Sequence, residues 1–161
     1  VVALRRGELI AQGPPTEVFA RPGVYASAAL GGLENVLRGQ VVEASTEEAS
    51  IRIGDTDGGQ IVRASSGECR TGEAALLGLR SQDILVANER IRGVSARNWL
   101  RATARRISQV EGKQVLVAAV EGGGGAELMV ELTQEAVAEL ALEPGRQLWL
   151  FFKSSAVSVY R

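Results

Sequence analysis

Asn98-Trp99-Leu100-Arg101-Ala102 restates Asn35-Val36-Leu37-Arg38-Gly39 at an offset of 63, and this recurrence decides how the rest of the chain is read. Farther on, the run from Gly72 to Ser81 (GEAALLGLRS) is matched, at an offset of 73, by the run from Gly145 to Ser154 (GRQLWLFFKS). Two matches in the same order mark an internal duplication. The extra ten residues fall between the matched blocks, so the loops differ while the strands that open and close each unit persist. A copy of roughly 60 residues is near the lower limit for an independent core, so the two copies are expected to pack against each other.

The second copy has mainly the periodicity of strands. Leu100 to Ile107, Gln114 to Val120, Glu127 to Leu132 and Gln147 to Lys153 are strand candidates, some alternating and some continuously apolar. Gly122-Gly123-Gly124-Gly125 links two of them and reads as a mobile hairpin tip; no Lys-Ser/Thr and no helix start follow it, which a phosphate cradle would need. Thr133 is placed to cap a short helix over Gln134 to Leu140, with Val137 and Leu140 facing inward and Glu135 near the positive end of the dipole. Pro144-Gly145 then turns the chain into its last strand. Four or five short strands and one capping helix predict a small barrel of the oligonucleotide/oligosaccharide-binding type, so the fold class expected is all-β with two such barrels in tandem.

The opening segment reads differently. Val1 to Leu4 and Glu8 to Gly13 form two short strands around Arg5-Arg6-Gly7, and Thr16 can cap a helix through Glu17 to Ala20 that Pro22-Gly23 stops. A hairpin of this size is too small to stand alone. The small-residue link from Ala26 to Gly32 leads into the first copy. The expected organisation is therefore 1–31 for this opening unit and linker, 32–90 for the first repeat and 91–161 for the second.

Composition excludes several classes of function. The net charge of −1 gives no basic field for nucleic acid or an anionic membrane. There is no histidine, hence no common general base or imidazole metal ligand. Glu47-Glu48 reads as a solvated loop pair. Cys69 is the only cysteine, has no base partner to activate it and reads as a small buried or neutral thiol in a reducing compartment. No apolar run approaches the roughly 18–20 residues that cross a bilayer. Trp99, Trp149, Phe151 and Phe152 lie in strands and read as core rather than as a base-stacking platform. No catalytic residues and no direct protein ligands to a metal are assigned.

One constellation carries chemistry. Ser95-Ala96-Arg97-Asn98 and Lys153-Ser154-Ser155-Ala156-Val157 each combine positive charge with hydroxyls and small residues. A small tetrahedral dianion needs this combination: charge to replace its hydration, and donors aimed at its oxygens.

These residues resemble a known family. Ser95-Ala96-Arg97-Asn98-x-Leu100, the Glu131-Leu132-Thr133 helix entry, Leu142-x-x-Gly145 and Lys153-Ser154-Ser155-x-Val157 together look like the small molybdate-binding Mop domain, over residues 95 to 159. Residues 33 to 87 resemble the related TOBE repeat through Asn35 to Gly39 and Gly78-Leu79-Arg80-Ser81-Gln82-Asp83-Ile84. The pattern from Gly7 to Pro22 resembles the closing segment of the nucleotide-binding subunit of ABC transporters, although no phosphate loop Gly-x-x-x-x-Gly-Lys-Ser/Thr occurs and no ATP site is expected in this chain.

The resemblance implies a regulatory domain of an oxyanion importer's ATP-binding subunit, cytoplasmic and peripheral at the inner face of the membrane. Its ligand would be molybdate or tungstate, held between barrels. Its partners would be a second copy of itself, the ABC nucleotide-binding domain and, through that, the permease subunits, with no nucleic acid. Carried over onto this sequence, Ser95 and Ser154 or Ser155 would donate hydroxyl hydrogen bonds. Ala96 and Arg97 would offer backbone N–H groups, Arg97 and Lys153 the two positive charges, and Asn98 would brace the loop. The first copy carries Gly32-Leu33-Glu34-Asn35 at the corresponding place, and Glu34 argues against an equivalent site there. The alternative that the resemblance allows is a TOBE domain that supports dimerisation of an importer ATPase and binds no oxyanion.

Overall fold

The computed structural model describes residues 2–5, 7–13, 18, 34–54, 58–65, 69–110 and 112–160. The opening hairpin pairs β1 (Val2–Arg5) with β2 (Glu8–Gln12) around Gly7, whose φ of 85° suits a residue without a Cβ. Ala3, Ile10 and Ala11 gather with Val18 in a small cluster separate from the main core. Of the expected helix at 17–20 only Val18 is described, helical and buried, and the link at 26–32 lies outside the described residues.

The first repeat contributes β3 (Glu34–Ala44), β4 (Ala49–Ile53), β5 (Gln60–Ala64) and β6 (Ala74–Arg80), then a 3-10 turn (Ser81–Asp83) and the short β7 (Leu85–Ala87). The second follows the same plan with β8 (Asn98–Val110), β9 (Lys113–Val120), β10 (Glu127–Leu132), α1 (Gln134–Glu139), β11 (Gln147–Phe152), a 3-10 turn (Ser154–Ala156) and β12 (Val157–Tyr160). The duplication is visible in the hydrogen-bonding register itself. Asn98 pairs with Phe152 as Asn35 pairs with Leu79, which reproduces both sequence offsets in one pair of strands. The register shift of β8 between Ala104 and Arg106 repeats that of β3 between Val41 and Glu43, so each long strand is bulged at the same step.

Register also locates the ten-residue growth. Gly39 faces Ile53 and Ala102 faces Val120, so the offset rises from 63 to 67 across the first hairpin of the repeat. Ile51–Val62 and Ala118–Leu128 bring it to 66 across the second. The rest of the growth belongs to the segment containing α1. Thr133 Oγ1 accepts the Ala136 N–H at 3.1 Å, the expected cap, and Val137 and Leu140 pack against the core.

The sheets do not divide where the repeats divide. One five-stranded sheet runs β12-β6-β3-β4-β5 and the other β10-β9-β8-β11-β7, so each takes its fifth strand from the other repeat. The exchange is symmetric: Phe151 pairs with Leu85 as Gly78 pairs with Ser158, and the same offset relates Phe151 to Gly78 and Ser158 to Leu85. Each sheet curls so that the 3-10 turn before the exchanged strand meets the opposite edge strand, Ser154–Ala156 against β5 and Ser81–Asp83 against β10. This gives the two small tandem barrels with one short capping helix that the sequence leads us to expect. Leu37, Ile51 and Leu77 of the first and Leu100, Leu116 and Leu150 of the second belong to one continuous buried cluster. Neither copy thus has to sustain a core by itself.

The glycine run at 122–125 turns the β9–β10 hairpin, as expected, but it is not a free tip. A Cβ on Gly54 or on Gly122 would collide with backbone, Gly54 with Gly122 and Gly122 with Gly58, so the turns of the two repeats lie backbone against backbone. At φ values of 86° and 65° both positions also require the left-handed region that glycine enters without strain.

Candidate functional site

Asn98 is the best-defined member of the serine-arginine segment. It is buried to 1% exposure at the start of β8, and its amide makes a two-way clasp with β5 of the other barrel. The Arg63 N–H donates to Asn98 Oδ1 at 2.7 Å and Asn98 Nδ2 donates to the Arg63 carbonyl at 2.9 Å. Asn35 performs the equivalent task. It accepts the Met129 N–H at 2.7 Å and donates to the Met129 carbonyl at 2.9 Å, on the edge strand β10. An edge strand has unpaired N–H and C=O groups, and a carboxamide supplies the complement of both. The duplicated asparagines therefore pin the barrels to each other.

The other half of the signature is tied to the same edge strand. The Ser65 N–H, just past β5, donates to the Ser154 carbonyl at 3.2 Å. Both segments are thus positioned from β5, and they meet: Ser95, Ala96 and Lys153 line one cleft of about 530 Å³. The exchanged β7 supplies much of its wall through Leu85 and Val86, beside Phe151 of β11, and Ile91 and Val94 also line it. Asp83 also lines it. Ser154 is half-buried in the adjoining 3-10 turn, and Ser155 is exposed.

Arg97 departs from this grouping. Its guanidinium lies 4.0 Å from Glu48, and its side chain lines a different pocket with Arg63, Trp99, Arg101 and Trp149. Glu48, expected as a solvated loop residue, is half-buried and also meets Arg63 at 3.5 Å. The aromatic residues divide. Phe151 and Phe152 are buried, whereas Trp99 and Trp149 are half-buried beside arginines rather than in the core. Arg90 lies 4.3 Å from the Trp99 ring centroid and Arg101 5.5 Å from that of Trp149.

The corresponding corner of the first copy differs in accessibility. Ser81, the counterpart of Ser154, is 1% exposed, and its hydroxyl has no hydrogen-bond partner among the described residues. It faces inward where Ser154 is accessible. The sequence reading missed Asp83, Leu85, Ile91 and Val94 as walls of the cleft, because the strand exchange that brings β7 beside β11 was not drawn from it. The signal was present: the offset that relates Ser154 to Ser81 continues to Ser158 and Leu85.

Two exchanged barrels clasped by duplicated asparagines define an accessory domain of the tandem small-barrel class, and residues 94–159 match the TOBE domain family. Nearly the whole chain aligns with part of molybdate/tungstate and molybdenum import ATP-binding proteins. It is 28% identical to the molybdate/tungstate import ATP-binding protein WtpC of Pyrococcus abyssi over 99% of the chain and 42% of that protein. It is 30% identical to the molybdenum import ATP-binding protein ModC of Rhodospirillum rubrum over 98% of the chain and 43% of that protein. The chain thus spans about two fifths of the length of these relatives. In structure it is similar to the cytoplasmic molybdate-binding protein ModG, crystallised with molybdate bound, with a TM-score of 0.66 and 27% identity, covering 78% of this chain and 94% of that one.

Proposed function

We propose that the chain is the oxyanion-sensing accessory domain of an importer's ATP-binding subunit, taking molybdate or tungstate at the corner where Ser95-Ala96 meets Lys153-Ser154. The observation that carries this reading is the convergence of Ser95, Ala96 and Lys153 on one cleft from segments far apart in sequence. Lys153 supplies the charge, the hydroxyls of Ser95 and Ser154 or Ser155 and the backbone N–H groups of Ala96 and Arg97 supply donors, and the apolar walls exclude competing water. The side chain of Arg97 is engaged elsewhere, so its part in this reading is reduced to the backbone.

A single chain brings one lysine and one aspartate to the cleft, which does not neutralise a dianion. The rim residues Leu85, Ile91 and Val94 are 65%, 47% and 48% exposed and give the cleft an apolar edge. The apolar rim supports a two-fold pairing of copies across this cleft, which would bring to it a second Lys153 together with a second Asp83. In the assembled importer the domain would sit at the cytoplasmic face, attached to the nucleotide-binding domain and through it to the permease. Bound oxyanion would then bias the ATPase dimer by differential affinity for its two states.

The test is a thermal melt with and without oxyanion. At about 100 times its dissociation constant a ligand that binds only the native state adds roughly 2.7 kcal/mol, which for a domain of this size raises Tm by about 5–10 °C. A melt unmoved by millimolar molybdate and tungstate leaves the alternative, a dimerisation domain without an oxyanion site, for which the apolar rim alone is sufficient.

A further inference from the structure

The pocket lined by Arg97 draws on strands of both barrels and shares no lining residue with the Lys153 cleft. Gln60 and Arg63 of β5 form one wall, Arg97, Trp99 and Arg101 another, and Trp149 of β11 a third, around a space of about 270 Å³. Three arginines line it, and each has an acid at the long end of ion-pair distance. Glu48 is 3.5 Å from Arg63 and 4.0 Å from Arg97, and Glu121 is 3.9 Å from Arg101. A tight guanidinium–carboxylate bond is about 2.7–2.9 Å, so these pairs are loose and do not use up the donors of the three arginines.

Two of the three arginines, Arg63 and Arg101, are also held at the backbone from the opposite barrel. Asn98 clasps Arg63 at 2.7 and 2.9 Å. Gln60 clasps Arg101 in the same manner, with the Arg101 N–H donating to Gln60 Oε1 at 2.8 Å and Gln60 Nε2 donating to the Arg101 carbonyl at 2.9 Å. Positive charges spaced in advance spare a ligand the cost of gathering them. The two indoles add flat apolar walls, and a tetrahedral inorganic ion has no use for these. Forked cations beside aromatic faces suit a planar ring carrying a carboxylate or phosphate. The volume lies just below the range of about 300–1,000 Å³ for drug-sized ligands, which restricts the ring to a small one.

We infer that the pocket of Arg63, Arg97, Arg101, Trp99 and Trp149 is a second anion site, for a small aromatic anion. The inference does not depend on oxyanion binding at Lys153. Trp99 and Trp149 are the only tryptophans of the chain, so its intrinsic indole fluorescence reports on this pocket alone. The full chain is titrated with phenyl phosphate and with benzoate, against inorganic phosphate and acetate at matched ionic strength. A saturable fluorescence change is expected for at least one aromatic probe, at least tenfold tighter than for its non-aromatic counterpart. Arg63→Gln and Arg101→Gln should each weaken it severalfold, while Lys153→Ala leaves it unchanged. Both arginine side chains are partly exposed, at 37% and 64%, so neither substitution endangers the fold. A response that does not saturate, that matches the non-aromatic probe, or that survives the Arg63→Gln/Arg101→Gln double substitution would overturn the inference. So would its loss in Lys153→Ala, which would assign the probe to the other cleft.

Discussion

Asn98 and Asn35 show how a single side chain can replace a strand. Each carboxamide satisfies one N–H and one C=O on the other barrel's edge, and each is almost wholly buried. Asn98→Ala removes both partners of Arg63 at once. Leaving a buried polar group unsatisfied costs about 1–3 kcal/mol, so urea unfolding should show a loss of about 2–4 kcal/mol, and Asn98→Asp, which keeps the acceptor but sets a buried carboxylate oxygen against the Arg63 carbonyl, should lose at least as much. A loss below about 0.5 kcal/mol in Asn98→Ala would mean that the clasp is dispensable. Gly39 gives a second test at this scale. Its counterpart is Ala102, yet a Cβ on Gly39 would lie 2.5 Å from Ile51 Cγ2 and 2.7 Å from the Arg52 carbonyl oxygen. Gly39→Ala should therefore destabilise by about 1–3 kcal/mol despite importing the residue of the sister repeat, as thermal unfolding would reveal. That the Asn98 side chain bonds backbone was legible from the habit of asparagine; that its partner lies on another barrel was not, because sequence spacing carries no trace of the contact.

At the scale of elements, the exchange of β7 and β12 sets what each repeat can do alone. β12 closes the first sheet through Val157–Leu79 and Val159–Leu77, though it is coded at the end of the second repeat. Truncation after Ala156 should accordingly expose β6, and hydrogen exchange should rise over Leu76–Leu79 of the first barrel while β9 and β10 keep their protection. Equal loss in both barrels would show that the core yields as one unit, and loss confined to the second would contradict the pairing. The strands themselves were legible: Glu127–Leu132 falls where the alternation puts it, and α1 starts at the residue after its threonine cap. The exchange was not. Periodicity reports which face of a strand is buried and is silent about which neighbour completes its sheet.

In the whole molecule, under the proposed function, the duplicated barrel pair presents one functional corner, in its second copy, and a further chain completes it. Ultracentrifugation at tens of micromolar should then find a two-fold dimer, and Leu85→Glu with Ile91→Glu, placing charge on the apolar rim, should shift it to monomer without unfolding it. Monomer alone, with and without oxyanion, would remove the shared site. The asymmetry between copies was readable from Glu34 in place of Arg97, and the structure adds a second basis in the buried hydroxyl of Ser81 against the accessible Ser154. The measurement that tests the central claim most directly is calorimetric titration of molybdate into the chain, Lys153→Ala and Arg80→Ala. Truncating one partner of a desolvated charged hydrogen bond costs about 2–5 kcal/mol, so Lys153→Ala should weaken molybdate by well over tenfold with little change in apo Tm, and Arg80→Ala, the first-copy counterpart, should leave it nearly intact. Equal weakening by the two substitutions, or loss of binding in Arg80→Ala alone, would contradict the assignment of the site to the second copy.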